Sequence, residues 1–167
     1  MDKRKIPVAN PLIGEDEAQA AYEVVKSGWI SMGKKVQEFE ELFAEYVSSR
    51  YAIATNNGTT ALHLALIAMG IGKDDEVLVP DITFISTANA VLYVGANPII
   101  VECDPKTYNI SLDDAAKRLT SKTKAIIPVD MNGMPFDYEA VLAFADKHGL
   151  KVIADSAESL GAIYKGR

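Results

Sequence analysis

Apolar positions in the first fifty residues recur every three to four places. Residues 15–26 have the texture of an amphipathic helix, and Ser27-Gly28 follows as a stop. Residues 34–47 are clearer, with Val36, Phe39, Leu42, Phe43, Tyr46 and Val47 stepping along one face. From residue 51 the texture changes to short continuous apolar runs separated by helical stretches. The runs at 51–55, 76–79, 99–103, 125–129 and 151–154 predict strands; about 59–69, 83–94, 111–119 and 136–148 predict helices. Gly70 and Gly72 close one helix, Ser111 with Asp113 and Asp114 opens another, and His148-Gly149 ends the last. Unbroken apolar strands are those covered on both faces, and strand–helix alternation implies an α/β fold: three layers, a mostly parallel sheet covered by helices. The expected division is a helical segment over 1–50 and an α/β domain over 51–167.

Composition narrows the classes. The chain has 167 residues, 17 basic and 23 acidic, a net charge of −6 and 49% hydrophobic residues. That apolar fraction excludes a disordered chain, and the acidic balance argues against nucleic acid or an anionic membrane as partner. Cys103 is alone, so it makes no internal disulfide and fits a reducing, cytoplasmic setting, as a buried and inert thiol. The start, Met1-Asp-Lys-Arg-Lys-Ile-Pro, has no apolar stretch behind its charges and is not read as a signal peptide. The stretches 61–72 and 88–101 are interrupted by His63 and Asn97-Pro98, short of the ~18 apolar residues of a spanning helix.

Ligands of parallel sheets sit outside the carboxyl ends of the strands, so the chemistry is sought there. Asn56-Asn57-Gly58-Thr59-Thr60 lies between a strand and a helix. A small-residue turn entering a helix leaves about four backbone N–H groups unpaired beside a dipole end of roughly +0.5 charge. That is a phosphate site, or an N-cap and nothing more; neither the Walker A nor the dinucleotide glycine pattern is present. Phe84 falls in the first turn of its predicted helix, where it can lie flat on a planar ring or simply pack in the core. Asp155 ends an apolar strand, where a carboxylate is costly to desolvate without a partner. Its partner could be a metal, a ribose or a protonated ring nitrogen, or Asp155 could merely cap a turn. Glu158, three residues on, projects from a similar face if a helical turn begins there. Asp104 and Asp130 also end strands and carry little weight. His63, without a second histidine at ligand spacing, reads as a core or interface residue, and no metal site is expected.

In order and spacing, four blocks resemble the DegT/DnrJ/EryC1/StrS aminotransferases. They are Gly28-Trp29-Ile30-Ser31, Gly58-Thr59-Thr60-Ala61-Leu62-His63 with Gly70-Ile71-Gly72-Lys73-Asp74-Asp75-Glu76-Val77, Thr83-Phe84-Ile85-Ser86-Thr87-Ala88-Asn89-Ala90, and Asp155-Ser156-Ala157-Glu158-Ser159-Leu160-Gly161-Ala162. The resemblance implies the large domain of a fold-type I pyridoxal 5'-phosphate enzyme that places an amino group on a nucleotide-linked keto sugar. It also implies glutamate as amino donor and a homodimer with residues 28–33 near the shared site. Position by position, it assigns Gly58, Thr59 and Thr60 to the cofactor phosphate, Phe84 to the face of the pyridine ring and Asp155 to the ring nitrogen. Glu158 falls to the O3′ side, where glutamate looks most like the perosamine-synthase branch, which aminates a GDP-linked 4-keto-6-deoxy sugar. A related sugar dehydratase, in which histidine replaces the anchoring lysine, and a non-catalytic binding module are the other readings.

The family's Schiff-base lysine lies downstream of the Asp155 motif, and no lysine of this chain matches it. Lys73, Lys124 and Lys151 precede or start strands, at the far sheet edge, about 17 Å away. Lys106 and Lys165 fall in loops. The chain therefore reads as the N-terminal part of such an enzyme, with much of the cofactor cradle, no catalytic lysine and no expected turnover of its own.

Overall fold

The computed structural model describes Pro7 and residues 10–166. It divides into two compact units, Met1–Ala54 and Thr55–Arg167.

The first unit holds two helices, α1 (Glu15–Ser27) and α2 (Lys34–Tyr46). Glu15, Asp16 and Glu17 lie in the first turn of α1, where acids complement the helix dipole, and the Glu17 carboxylate accepts the Gly14 N–H at 2.7 Å. That bond holds the Glu17 carboxyl below its ordinary range. The helix stops at Gly28, whose φ of 75° is a conformation that glycine adopts without cost. Gly33 is required for a different reason: a Cβ there would stand 2.3 Å from the Trp29 indole nitrogen, which donates to Met32 O. The apolar stripe of α2 forms as the spacing predicts, with Phe39 and Phe43 in contact at 5.6 Å between ring centres, yet none of its residues is buried. Residues 51–55 form no strand. Tyr51 and Ile53 are exposed, and among the described residues no strand pairs with them, whereas a strand exists only through the ladder it shares.

The second unit runs α3 (Gly58–Ala68), β1 (Glu76–Pro80), α4 (Ser86–Tyr93), β2 (Asn97–Val101), α5 (Leu112–Arg118), β3 (Thr123–Ile126), α6 (Tyr138–His148) and β4 (Lys151–Val152). The sheet order is β2-β1-β3-β4 and every pairing is parallel. Each apolar strand serves two cores because successive side chains point to opposite faces. Val77, Val79, Ala125, Ile127 and Ile153 face α3 and α4, meeting Leu62, Leu66, Ala90 and Val91. Leu78, Ile126 and Val101 face the other way, meeting Ala115, Val141, Ala145 and Phe136.

This strand order fixes where a ligand can enter. The connection from β1 steps outward to β2, whereas that from β3 steps outward to β4, in the opposite direction. With right-handed crossovers, opposite steps put the connecting helices on opposite faces, and the loops after β1 and β3 diverge. In open α/β sheets that point, outside the carboxyl ends of the strands, is where ligands bind. Two elements are shorter than expected at this rim: α4 begins at Ser86 rather than 83, and β4 covers only Lys151–Val152. Past β4 the ladder continues as a single bridge between Val129 and Asp155. Among the described residues, no helix is long and apolar enough to cross a membrane.

Candidate functional site

Three segments reach the rim, and each arrives there for a local reason. The first is the start of α3. Asn57 is the N-cap, in extended conformation, and its side-chain oxygen accepts both the Thr60 N–H (2.9 Å) and the Thr60 hydroxyl (3.1 Å). The Ala61 N–H goes to Asn57 O. Those bonds leave the amides of Gly58 and Thr59 as the first-turn donors without an intrahelical acceptor. A Cβ built on Gly58 meets nothing within 4 Å, so the backbone there faces open space. Of the three residues read as a phosphate cradle, Gly58 and Thr59 present amides with no acceptor among the described residues, while Thr60 has given both of its donors to the cap.

The second segment joins β1 to α4. Phe84 lies before the helix, not in its first turn as expected, and 72% of it is exposed. Two residues later the helix presents consecutive buried hydroxyls in different directions. The Ser86 hydroxyl is 2.7 Å from that of Thr59, and the Thr87 hydroxyl donates to Asp155 Oδ2 at 2.8 Å. Consecutive helical residues point about 100° apart, so one turn of α4 touches α3 on one side and the 155–159 turn on the other. These two bonds place Gly58–Thr60 and Asp155 on the same rim.

The third segment follows β4. Asp155 is 9% exposed, its backbone locked by Asp155 N–H to Pro128 O (2.9 Å) and Asp130 N–H to Asp155 O (3.1 Å). Its Oδ1 receives only a long bond from the Ala157 N–H, 3.4 Å, so turn capping is a minor part of its role. Glu158 does not begin a helix. Residues 157–158 and 160–161 form turns, and the Glu158 carboxylate accepts the Asn132 N–H at 2.6 Å. Asn132 has φ 54°, the left-handed region that asparagine tolerates better than most residues. The bond ties Glu158 to the 131–133 turn.

Cys103, which follows β2, is half-buried rather than buried. Its N–H donates to Asp81 Oδ1 at 3.0 Å. Burial, reinforced by the Asp81 carboxylate, pushes its thiol up to about 11, which suppresses the reactive thiolate. His63 packs edge-on against Tyr93 at 5.7 Å between ring centres, as an ordinary packing residue would. No cluster of metal-ligating side chains occurs among the described residues.

Residues 11–167 match the DegT/DnrJ/EryC1/StrS aminotransferase family. The chain belongs to that family. It is 46% identical over 167 residues to the GDP-perosamine synthase of Caulobacter vibrioides, covering 99% of this chain and 45% of that protein. Among solved structures it superposes on the aminotransferase from Psychrobacter cryohalolentis with a TM-score of 0.91 at 43% identity, covering 96% of this chain and 42% of that one. The PLP-form of a putative sugar aminotransferase, Spr1654 from Streptococcus pneumoniae, gives 0.94 at 31% identity, covering 98% and 46%. This family member thus spans less than half the length of the relatives it matches.

Several residues that organise the site of this aminotransferase-family chain are not evident from the spacing. Asn57, Ser86 and Thr87 are small polar side chains that look like ordinary helix starts. Asp130, given little weight above, is 1% exposed and saturated with donors: Phe136 N–H to Oδ1 (2.9 Å), and Tyr138, Ser156 and Ser159 hydroxyls to Oδ2 (2.9, 2.9 and 2.7 Å). It fastens the 155–159 turn to the start of α6. The one available signal was its place at the end of an apolar run, a place it shares with Asp155.

Proposed function

We propose that this chain forms the cofactor-binding part of a pyridoxal phosphate-dependent aminotransferase acting on a nucleotide-linked 4-keto-6-deoxy sugar. The observation that carries the reading is the pair of bonds from consecutive residues of α4, Ser86 to Thr59 and Thr87 to Asp155. They bring an amide-lined helix start and a buried acid to one rim, as a ligand with a phosphate at one end and a basic ring nitrogen at the other requires. The residues fit that ligand: Gly58 has room beside it, the Gly58 and Thr59 amides meet no acceptor among the described residues, and Asp155 keeps an oxygen with one weak donor. When bound, the cofactor supplies an electron sink for transamination.

In this reading Gly58 and Thr59 hold the phosphate, with Thr60 fixing the cap behind them. Phe84, exposed on the loop after β1, covers one face of the ring. Asp155 keeps the ring nitrogen protonated through a charge-assisted hydrogen bond worth on the order of 1.5–3 kcal/mol. Glu158, held by the Asn132 amide, lies on the O3′ side. The likeness to a GDP-perosamine synthase supports a GDP-linked sugar; glutamate as amino donor, a cytoplasmic setting and a homodimer belong to the same proposal, on the family resemblance alone.

The test is saturable binding of pyridoxamine 5'-phosphate to the 167-residue chain, followed by the ligand's fluorescence. Asp155→Ala is expected to weaken it about 10- to 100-fold, the equivalent of the bond above. Absence of saturable binding at millimolar ligand, or equal affinity of the variant, overturns the reading. Supplied with pyridoxal phosphate, glutamate and the keto sugar, the same chain is expected to release no 2-oxoglutarate; release would show that it needs no further lysine.

A further inference from the structure

Thr87 is fully buried on the first turn of α4, and its hydroxyl has three oxygens within reach: Asp155 Oδ2 at 2.8 Å, Thr83 Oγ1 at 2.7 Å and Phe84 O at 3.1 Å. A hydroxyl carries one proton, so only one of these can be its acceptor. Phe84 O already receives the Thr87 N–H at 3.1 Å. The carboxylate is the strongest acceptor of the three, since a bond to an ionised group is roughly twice as strong as a neutral one. The Thr87 proton therefore goes to Asp155, and the Thr83 hydroxyl, four residues back in the loop before α4, must be the donor to Thr87 Oγ1. The result is a directed chain, Thr83 to Thr87 to Asp155, in which each bond polarises the next. Among the described residues, no lysine or arginine forms an ion pair with Asp155. The Thr87 hydroxyl supplies its short bond, beside the long one from the Ala157 N–H at Oδ1.

We infer that Thr87, backed by Thr83, is a positioning pair that pins Asp155 Oδ2 and thereby presents Oδ1 to the protonated ring nitrogen of the cofactor. The inference rests on the cofactor reading above. A threonine suits the position because its branched Cβ restricts χ1 in a helix, where its hydroxyl otherwise turns to the carbonyl three or four residues back. Here Phe84 O stands where that turn would lead, and Asp155 competes successfully for the proton. Pinning one oxygen sets the plane of the carboxylate. A carboxylate free to rotate would meet the ring N–H in several orientations and hold its proton less tightly.

Pyridoxamine 5'-phosphate labelled with 15N in the ring reports the protonation of that nitrogen directly. Bound to the 167-residue chain and titrated with pH, the ring nitrogen is expected to lose its proton at least one pH unit earlier in Thr87→Val than in the unaltered chain. That shift is a tenfold loss of proton affinity. Thr87→Ser, which keeps the hydroxyl and drops the methyl, is expected to titrate as the unaltered chain does. Thr83→Val, which removes only the rear donor, should fall between them. An unshifted titration in Thr87→Val, or a Ser variant as perturbed as the Val one, overturns the positioning role and leaves the cofactor reading standing. A chain that takes up no labelled ligand overturns both.

Discussion

Asp130 offers the sharpest test of how the rim is held in shape. Replacing it with alanine removes the only acceptor among the described residues for the Phe136 N–H and the Tyr138 hydroxyl, and a principal one for Ser156 and Ser159. The two serines can recover: Ser156 is exposed, and the Ser159 hydroxyl also reaches Ser156 O at 3.3 Å. Phe136 is 1% exposed, so its amide cannot turn to water, and Tyr138 is held by stacking on the Phe136 ring at 3.9 Å between centres. An abandoned buried donor costs about 1–3 kcal/mol, so these two together give roughly 2–6 kcal/mol, offset in part by no longer desolvating a carboxylate. The expected net loss is about 3 kcal/mol, or about 6–12 °C in Tm for a chain of this size. Ser159→Ala removes one recoverable donor and should cost about 1 kcal/mol or less. Urea unfolding by far-UV circular dichroism measures both, and the tyrosine signal in the near-UV reports the Phe136–Tyr138 stack. An Asp130→Ala chain within 1 kcal/mol of the parent, with that signal intact, would refute the reasoning.

Burial, with the Asp130 carboxylate adding to it, raises the Tyr138 phenol above its ordinary value. The folded state thus favours the neutral phenol, so the stability it contributes is whole below pH 10 and is lost as pH climbs through the raised value. Absorbance titration at 295 nm should show one late tyrosine that Tyr138→Phe removes. The Cys103 thiol, pushed up to about 11 from 9.0, should react with iodoacetamide at pH 8 about a hundredfold more slowly than an unperturbed thiol, and a comparable rate would contradict its environment. Asn57→Ala deletes the acceptor for both Thr60 donors and should cost about 1 kcal/mol in urea unfolding, whereas Asn57→Ser should retain most of it.

The division between what could be read from the chain and what could not follows the range of the interactions. Core strands were legible because Val77-Leu78-Val79 and Ala125-Ile126-Ile127 are apolar on both faces, and a residue's own chemistry suffices to say so. The 151 strand proved short and the 51–55 strand absent, because a strand needs a partner that periodicity does not name. Caps were legible where a side chain serves its own helix, as Ser111 does for Asp114 N–H at 3.3 Å and Gly149 does with φ 65° after α6. The Thr87–Asp155 bond spans 68 positions and joins two residues of unremarkable local context, so only the resemblance of whole blocks hinted that they belong together.

Asp130 and Asp155 make the limit concrete. Both end apolar runs, both are buried, and their backbones bond to each other across adjacent strand ends. Their place at the end of an apolar run does not separate them, and in the sequence only the resemblance of the 155–162 block assigns the ligand's acid to Asp155. A carboxylate offers about four lone-pair sites. Asp130 receives four protein donors, three of them converging on Oδ2, so a ligand would have to displace a bond that holds the fold. Asp155 receives one short donor at Oδ2 and one long one at Oδ1, and the segment carrying its short donor also reaches the helix start whose amides meet no acceptor among the described residues. The same residue type at the same kind of position is thus a fastener in one case and a presented acid in the other. The count of protein donors separates the two, and that count exists only once the chain has folded.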